Sequence, residues 1–182
     1  LRTDVDGPRA GAWQLGEPQP GERTGLVEDG GTRVFVDVLE PAADLVVIGA
    51  GDDAGPLVRL AAESGFRVTV VDHRPAYLRP DLFPAARRLV HARPDDPAPE
   101  IPAHARAFVV VKNHAIGHDK AWARRFAATP VAYIGLLGPK ARRDDILASL
   151  TPQQRERAFG PIGLDLGAEG AEGMASRDQV LR

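Results

Sequence analysis

Short clusters of glycine and polar residues follow apolar runs in this chain, and they are the residues whose types and spacing could do chemistry. In the segment LVVIGAGDDAG, Gly49, Gly51 and Ala54 have the spacing of a dinucleotide-binding turn. The first glycine of such a turn permits a tight bend, and the second lets the backbone approach a pyrophosphate. We therefore predict that the loop around Gly49, Ala50 and Gly51 binds a phosphate-bearing cofactor.

Two carboxylates in this loop allow two interpretations. Asp52 and Asp53 fall at the start of the next predicted helix. A carboxylate there can cap backbone N–H groups and suits the helix dipole. It also competes with a phosphate for the same donors. The loop either uses these residues as caps or binds something other than an ordinary pyrophosphate, and we include both among the candidate binding residues.

A second cluster, Asp72, His73 and Arg74, ends the segment FRVTVVDHR. Asp72 follows Gly51 by 21 residues, close to the roughly 20 expected for a carboxylate that binds a ribose. The carboxylate favours an unphosphorylated ribose, whereas Arg74 could neutralise a 2′-phosphate or be an ordinary solvated cation. The identity of the nucleotide stays open.

The segment NHAIGHD places Asn113 and His114 after a further apolar run. His114 could donate, accept or shuttle a proton, or it could cap the next helix. His118 lies four residues later, a spacing also found in metal sites, but Gly117 and a predicted loop argue against a fixed pair. We predict no metal site.

Later in the chain, YIGLLGPKARR contains Gly135 and Gly138, which permit close approach of the backbone to a ligand. Basic residues follow both glycines and could contact an anion or form a solvated helix start. The motifs supply no nucleophile–base pair, so we predict no catalytic residue.

Apolar strands that alternate with amphipathic helices must position these clusters. We predict five parallel strands with the first at the centre, near residues 45–49, 67–72, 88–91, 107–111 and 131–136. This alternation predicts an α/β fold with a doubly wound, Rossmann-like parallel sheet. Ligands of such sheets bind outside the carboxyl ends of the strands, where the clusters lie.

Local signals give the expected helices. After the glycine loop, Leu57, Leu60, Ala61 and Ser64 share one helical face, and Gly65 is a helix stop. The segment TPQQ, which begins at residue 151, is a capping box and predicts a short helix that reaches Phe159.

Composition shifts divide the chain. Residues 1–31 are rich in glycine and proline and predict loops, whereas residues 34–38 alternate as a strand. We interpret residues 1–40 as a strand and loop remnant or linker of an N-terminal domain, 41–170 as the Rossmann-like domain and 171–182 as an irregular tail. Because the chain begins with Leu1 rather than Met, we expect its start to lie upstream.

Composition excludes several function classes. The net charge of −2 gives no overall attraction to nucleic acid or an anionic membrane. The absence of cysteine excludes a disulfide or a persulfide on this chain. No apolar run approaches the roughly 20 residues of a membrane span, and no signal peptide is visible. We expect a cytoplasmic protein.

Four ordered motifs resemble those of a known family. LVVIGAGDDAGPLVRLAAESGFRVTVVDHRP, VVVKNHAIGHD, AYIGLLGPKARRDDIL and GPIGLDLGAE resemble the C-terminal Rossmann-type domain of the XdhC/CoxI-type xanthine dehydrogenase accessory proteins. The resemblance covers residues 34 to about 169. By position it implies binding roles for Gly49, Gly51, Asp52, Asp72, Arg74, His114, Gly135, Gly138, Gly163 and Asp165.

The resemblance implies a chaperone rather than a catalyst. Such a protein binds molybdenum cofactor (molybdopterin), helps its sulfuration and delivers it to a xanthine dehydrogenase-type or carbon monoxide dehydrogenase-type molybdoenzyme, with a cysteine desulfurase as a further partner and a homodimer as its assembly. The family's N-terminal domain is missing here, so we expect transfer to require that domain in trans. The ending after DLGAEG also departs from the family's apolar helix, as a truncated or frame-shifted reading frame would.

Two other functions fit the same glycine loop. An NAD(P)-dependent oxidoreductase would need an acid or base beside a hydride path, and His114 is the candidate. A non-catalytic nucleotide-binding or sensing domain would need only the loop.

We predict that Gly51→Val weakens binding of molybdenum cofactor or NAD(P), with only a modest loss of stability. A side chain at this position blocks the approach of the backbone to the ligand. Titration calorimetry on the folded wild type and variant is the measurement, and equal affinities would show that the turn is only structural.

Overall fold

The computed structural model describes residues 1–19, 21–113 and 115–162 and divides the chain into two units, Leu1–Pro41 and Ala42–Arg182. The first unit contains four strands: Arg2–Asp4 (β1), Trp13–Gln14 (β2), Gly25–Asp29 (β3) and Thr32–Val36 (β4). They form an antiparallel sheet in the order β2-β1-β4-β3.

The predicted alternating strand is confirmed in β4, and the described part of residues 1–31 consists mainly of turns and loops, as predicted, but the prediction missed three short strands there. Val34 and Val36 are buried while Phe35 between them is exposed. Three further strands lie within the glycine-rich segment, and glycines such as Gly7 and Gly30 occupy turns between strands at positive φ. Composition therefore indicates the turns but not the short strands. β3 pairs with β4 across the Gly30–Gly31 turn, while β1 pairs with β2 and with the more distant β4.

The second unit alternates strands and helices. Its elements are β5 (Asp44–Ile48), α1 (Ala54–Glu63), β6 (Arg67–Asp72), a 3-10 turn (Pro75–Tyr77), β7 (Arg88–His91), β8 (Ala107–Val111), α2 (Ile116–Ala127), β9 (Tyr133–Leu136), α3 (Lys140–Ala148), α4 (Pro152–Arg155) and β10 (Ala158–Phe159). The six strands form a parallel sheet in the order β10-β9-β8-β5-β6-β7. The five predicted strands and the central place of the first are confirmed.

The sheet is wound on both faces, as predicted. Every residue of β5 is buried, and alternate side chains enter two separate cores. Val46 and Ile48 share one core with Trp122 and Phe126 of α2, whereas Val47 shares the other with residues of α1. The continuous apolar run of β5 exists because both faces of this strand exclude water.

Two details of the predicted helices are corrected. The buried face of α1 consists of Ala54, Val58 and Ala61, while Leu60 is 55% exposed. Apolar residues lie on more than one side of this helix, so the periodicity allowed two possible buried faces. The helix packs on the sheet through the face that carries the small residues Ala54 and Ala61. The predicted loop around Gly117 is also wrong, since α2 already begins at Ile116.

At the end of the described chain, the predicted helix cap is confirmed, but the predicted length of that helix is wrong. Thr151 and Gln154 form the predicted reciprocal capping box. The helix ends at Arg155, however, and Ala158 and Phe159 pair with β9 as a sixth strand. The Phe159 ring stacks on Tyr133 at 5.2 Å. The free edge of β9 supplies the hydrogen bonds that determine this strand, and no local pattern indicates them.

Within residues 1–19, 21–113 and 115–162, none of the helices has the length and apolar character needed to cross a membrane.

We predict that Gly135→Ala destabilises the chain. A Cβ at this position would lie 2.6 Å from Ile162 Cγ2 and 2.8 Å from the Tyr133 ring, and overpacking of this kind costs about 1–3 kcal/mol. Gly117→Ala in α2 is the matched control, because a Cβ there meets nothing within 4 Å. Urea denaturation should show a lower free energy of unfolding for Gly135→Ala and no decrease for Gly117→Ala. An equal decrease in both variants would contradict the packing role of Gly135.

Candidate functional site

The strand order of the parallel sheet reverses between β5 and β8, which lie side by side at its centre. β5 leads into α1 on one face and the neighbouring β8 leads towards α2 on the other. Ligands of open α/β sheets bind at such a switch point, outside the carboxyl ends of the strands. Gly49 directly follows β5 and has φ at +111°, and a Cβ on it would lie 2.9 Å from the backbone oxygen of Lys112. Only glycine satisfies both this conformation and this close approach.

The Asp72 carboxylate joins the glycine loop to the end of β6. Its Oδ2 atom accepts the backbone N–H of Ala50 at 2.8 Å and the Arg74 guanidinium at 3.0 Å. Its Oδ1 atom accepts the backbone N–H of Arg74 at 2.8 Å and the Arg74 Nε–H at 3.0 Å. The guanidinium also lies over the Tyr77 ring, 3.7 Å from its centroid. All four acceptor positions of Asp72 are thereby used.

Hydrogen bonds control the ionisation of this buried carboxyl group. Burial by itself raises the pKa of Asp72, but the bonds from the Arg74 side chain and from the Ala50 and Arg74 amides outweigh it and lower the pKa. The same pairing raises the pKa of Arg74. Asp72 is therefore a fixed anion that holds Arg74 and the loop in place.

Asp53 does not cap α1, so the capping interpretation is wrong for this residue. It occupies the N-cap position, but its side chain makes no cap hydrogen bond. Its Oδ1 atom instead accepts a hydrogen bond from Lys112 Nζ at 2.6 Å. Lys112 directly follows β8, and its side chain is only 3% exposed. The ammonium group under the loop is thus stronger than a backbone donor in attracting the carboxylate.

The glycine loop keeps a set of unpaired amide donors. Ala50 N–H is bound to Asp72, and Ala54 N–H donates to the Gly51 carbonyl at 2.8 Å. In the described part of the chain, the amides of Gly51, Asp52 and Asp53 donate no hydrogen bond. Adjacent free amides at the start of a helix form a binding place for an anion.

A third ion pair fixes Asn113 beside the loop. Asp119 of α2 is fully buried and accepts the Arg142 guanidinium at 2.6 Å and the Asn113 backbone N–H at 3.2 Å. Arg142 also donates to the Asn113 carbonyl at 2.7 Å. Gly138 lies against this pair, since a Cβ there would be 2.7 Å from Arg142 Cδ.

Two histidines meet at the same edge of the sheet. The His73 and His118 rings are edge to face with centroids 4.5 Å apart. Burial lowers the pKa of His73, assisted by His118 and opposed by Asp72. Across the described residues, His118 Nδ1 and Asn113 Nδ2 are buried polar atoms without a hydrogen-bond partner. Such atoms require an acceptor or donor from elsewhere.

The structure places the other predicted residues as follows. Asp52 is exposed at the loop. Gly135 lies within β9 against Ile162 and Tyr133, so the side chains of these two residues fill the space in front of it. His114, Gly163 and Asp165 lie outside the described residues. The suggested pairing of His114 with His118 therefore has no structural description, and across residues 1–19, 21–113 and 115–162 no three His, Asp or Glu residues form a group that could hold a metal ion.

Comparison with known proteins decides the family. A sequence profile of the XdhC Rossmann domain matches residues 45–176. The chain belongs to the XdhC Rossmann-domain family. The resemblance of its motifs to that family is confirmed.

Relatives of this XdhC Rossmann domain are longer proteins. The chain is 38% identical over 144 residues to a protein of Bacillus subtilis named as a probable xanthine dehydrogenase subunit, covering 79% of the chain and 43% of that protein. It is 29% identical over 146 residues to the uncharacterised protein YqeB of Escherichia coli, covering 77% of the chain and 27% of that protein. The chain thus spans less than half the length of these curated relatives.

A solved structure has the same fold. The crystal structure of a xanthine dehydrogenase from Bacillus halodurans is similar with a TM-score of 0.69 and 30% identity, over 78% of this chain and 43% of that one.

Sequence reasoning missed Lys112 and the Asp119–Arg142 pair in this XdhC domain. A signal for Lys112 existed, because a lysine that directly follows five strand residues must lie at the carboxyl edge of a parallel sheet. The partner of Arg142 had no signal, since Asp119 is 23 residues away on another helix.

We predict that Asp72→Asn lowers the free energy of unfolding at pH 7 by about 2–3 kcal/mol, at or below the low end for breaking a buried pair because Arg74 keeps contact with water. Since folding lowers the pKa of Asp72, its contribution is present above the ordinary value of 3.8 and is lost as the pH falls through the lowered pKa. Urea denaturation at pH 7 and at acid pH measures the difference between variant and wild type.

The control for this experiment is Asp81→Asn, which breaks the exposed pair between Asp81 and Arg79 and should change little. A deficit in Asp72→Asn that stays equal at both pH values would contradict the assignment of a buried, ionised carboxylate.

Proposed function

We propose that this chain binds molybdenum cofactor through its glycine loop and serves as an accessory domain for a xanthine dehydrogenase-type molybdoenzyme. Two observations of different kinds support this proposal. The chain belongs to the XdhC family, and relatives from two Bacillus species carry xanthine dehydrogenase in their names. The loop independently offers donors for a phosphate-bearing ligand.

The unpaired amides of the loop carry the proposal. Gly51, Asp52 and Asp53 supply three backbone donors at the switch point of the sheet, and the buried ammonium of Lys112 binds the side chain of Asp53 in the same loop. The phosphate ester of a pterin cofactor is an anion that such donors bind well. The buried Asn113 Nδ2 atom, which has no partner within the described residues, adds a donor suited to a ligand oxygen. These residues fit the cofactor's chemistry.

The state of Asp72 favours this ligand over a dinucleotide. A carboxylate that reads a ribose must accept hydrogen bonds from its hydroxyl groups. Each acceptor position of Asp72 is instead taken by the Ala50 amide or by Arg74. A ribose would have to displace Arg74, which the Tyr77 ring also holds. A pterin ligand bound by its phosphate makes no such demand.

The residues of this site are arranged for binding rather than turnover. Asp53, Asp72 and Asp119 are each paired with a cation, so none is a free general base. The chain has no cysteine to carry sulfur. We infer that a partner such as a cysteine desulfurase supplies the sulfur atom and that this chain orients and shields the cofactor. The molybdenum centre itself supplies the redox chemistry once it is in the partner enzyme.

A binding test separates the candidate ligands. We predict that molybdenum cofactor raises the melting temperature of the chain more than NAD or NADP does, because a ligand specific for the folded state stabilises it. The second measurement is reconstitution of cofactor-free xanthine dehydrogenase with molybdenum cofactor, with and without this chain. Transfer should appear only when the family's N-terminal domain is added in trans.

Other outcomes identify the alternative functions. A rise in melting temperature with NAD or NADP but not with molybdenum cofactor would indicate a nucleotide-binding or sensing domain. Hydride transfer by the isolated chain, abolished by His114→Ala, would replace the proposal with an oxidoreductase. Full insertion activity without the N-terminal domain would show that this domain delivers the cofactor by itself.

A further inference from the structure

The glycine loop contains a charge pair that phosphate binding alone does not require. Lys112 Nζ donates to Asp53 Oδ1 at 2.6 Å, and the lysine side chain is 3% exposed whereas that of Asp53 is 37% exposed. A buried ammonium without a partner is strongly unfavourable, so Lys112 needs an anion at all times. Asp53 supplies that anion, and it is the member of the pair that water can reach.

The pair spans the switch point of the sheet. Asp53 belongs to the loop after β5, while Lys112 directly follows β8, and Gly49 brings the two backbones together. The Asp53 carboxylate thus lies on the same loop as the three unpaired amides. A carboxylate on Lys112 occupies the charge that a ligand phosphate would seek. The buried lysine is an observation independent of the helix N-terminus, and it directs the phosphate to one place.

We propose that Asp53 is an internal substitute for the ligand's phosphate and that Lys112 is the residue that selects a phosphate-bearing ligand. This proposal rests on the proposed function and names the group by which the cofactor is recognised. A phosphate that enters takes the ammonium and the free amides, and Asp53 turns towards solvent.

Three features make the exchange feasible. Asp53 makes no cap hydrogen bond that would hold it in the loop. Its partial exposure lets water solvate the carboxylate when it leaves. Lys112 keeps an anionic partner throughout, so no buried charge is left alone. A ligand without an anionic group cannot replace Asp53, and the site excludes it.

A double-mutant cycle tests the exchange with pyrophosphate and with molybdenum cofactor as probes in titration calorimetry. Asp53→Asn removes the competing anion, and we expect both probes to bind about tenfold more tightly, the scale of one charge-assisted hydrogen bond. Lys112→Met should weaken both by about tenfold. In the double variant the gain from Asp53→Asn should disappear, because that gain acts through Lys112.

Asp52→Asn is the matched control, since it removes an adjacent exposed carboxylate of the same loop. We expect a smaller effect, and one that increased salt screens further. An equal gain in Asp52→Asn, or a gain from Asp53→Asn that persists in the Lys112→Met background, would show general charge repulsion and overturn the proposal. Circular dichroism checks that each variant folds, including Asp53→Asn, which leaves the Lys112 ammonium without an anionic partner. If Lys112→Met does not fold, the comparison of the two aspartate variants decides; if Asp53→Asn does not fold, the loss of affinity in Lys112→Met decides.

The outcomes separate this proposal from the proposed function. If neither Asp53→Asn nor Lys112→Met alters the binding of molybdenum cofactor, the exchange is wrong but the proposed cofactor role stands. If the variants change pyrophosphate affinity as expected but molybdenum cofactor does not bind at all, the exchange stands and the proposed cofactor role is wrong.

Discussion

The arrangement of the glycine loop at the carboxyl edge of the sheet depends on the buried carboxylate of Asp72. It lies at the end of β6 and accepts the Ala50 amide from the loop after β5, so it fixes that loop relative to the neighbouring strand. It also holds Arg74 by three hydrogen bonds. The free amides of the loop have a defined direction because this anchor holds the first turn of the loop. A residue placed where a ribose carboxylate is expected acts here as part of the framework.

Charges along this edge are compensated within the protein. Asp53 pairs with Lys112, Asp72 with Arg74 and Asp119 with Arg142. An edge built from such pairs does not attract anions over a long distance, in keeping with the net charge of −2. In the binding that we propose, an anionic ligand competes with a carboxylate for its cation, so affinity depends on the charge and shape of the ligand rather than on general attraction.

The two levels of the site have different origins. The glycine turn and the parallel sheet are shared architecture, and folds of this kind support many functions. The ion pairs at this edge of the sheet depend instead on individual side chains, and the two partners of the pairs Asp53–Lys112 and Asp119–Arg142 come from different elements. Membership of the XdhC family is shown by its Rossmann-domain profile, and the proposal of an anionic ligand rests on the amides and the lysine of the loop.

Local sequence determined much of the sheet. The runs of β5 and β8 are apolar throughout because both faces of a central parallel strand are buried, so composition alone locates them. The capping box of Thr151 was equally readable, since its partner lies three residues away. The glycine spacing and Asp72 located the carboxyl edge of the sheet for the same reason: each motif is contained in one short segment.

Tertiary structure decided those pairings of strands and side chains whose partners lie far apart in the sequence. β10 forms because the edge of β9 offers it hydrogen bonds, and β1 forms because β4, about 30 residues later in the chain, pairs with it. Asp53 takes Lys112 as a partner 59 residues away instead of capping its own helix. A charged group seeks the strongest available partner, and only the folded chain determines which groups are near. The sequence by itself therefore determined the elements and the edge where they present polar residues, while the fold decided which of those residues are free to bind a ligand.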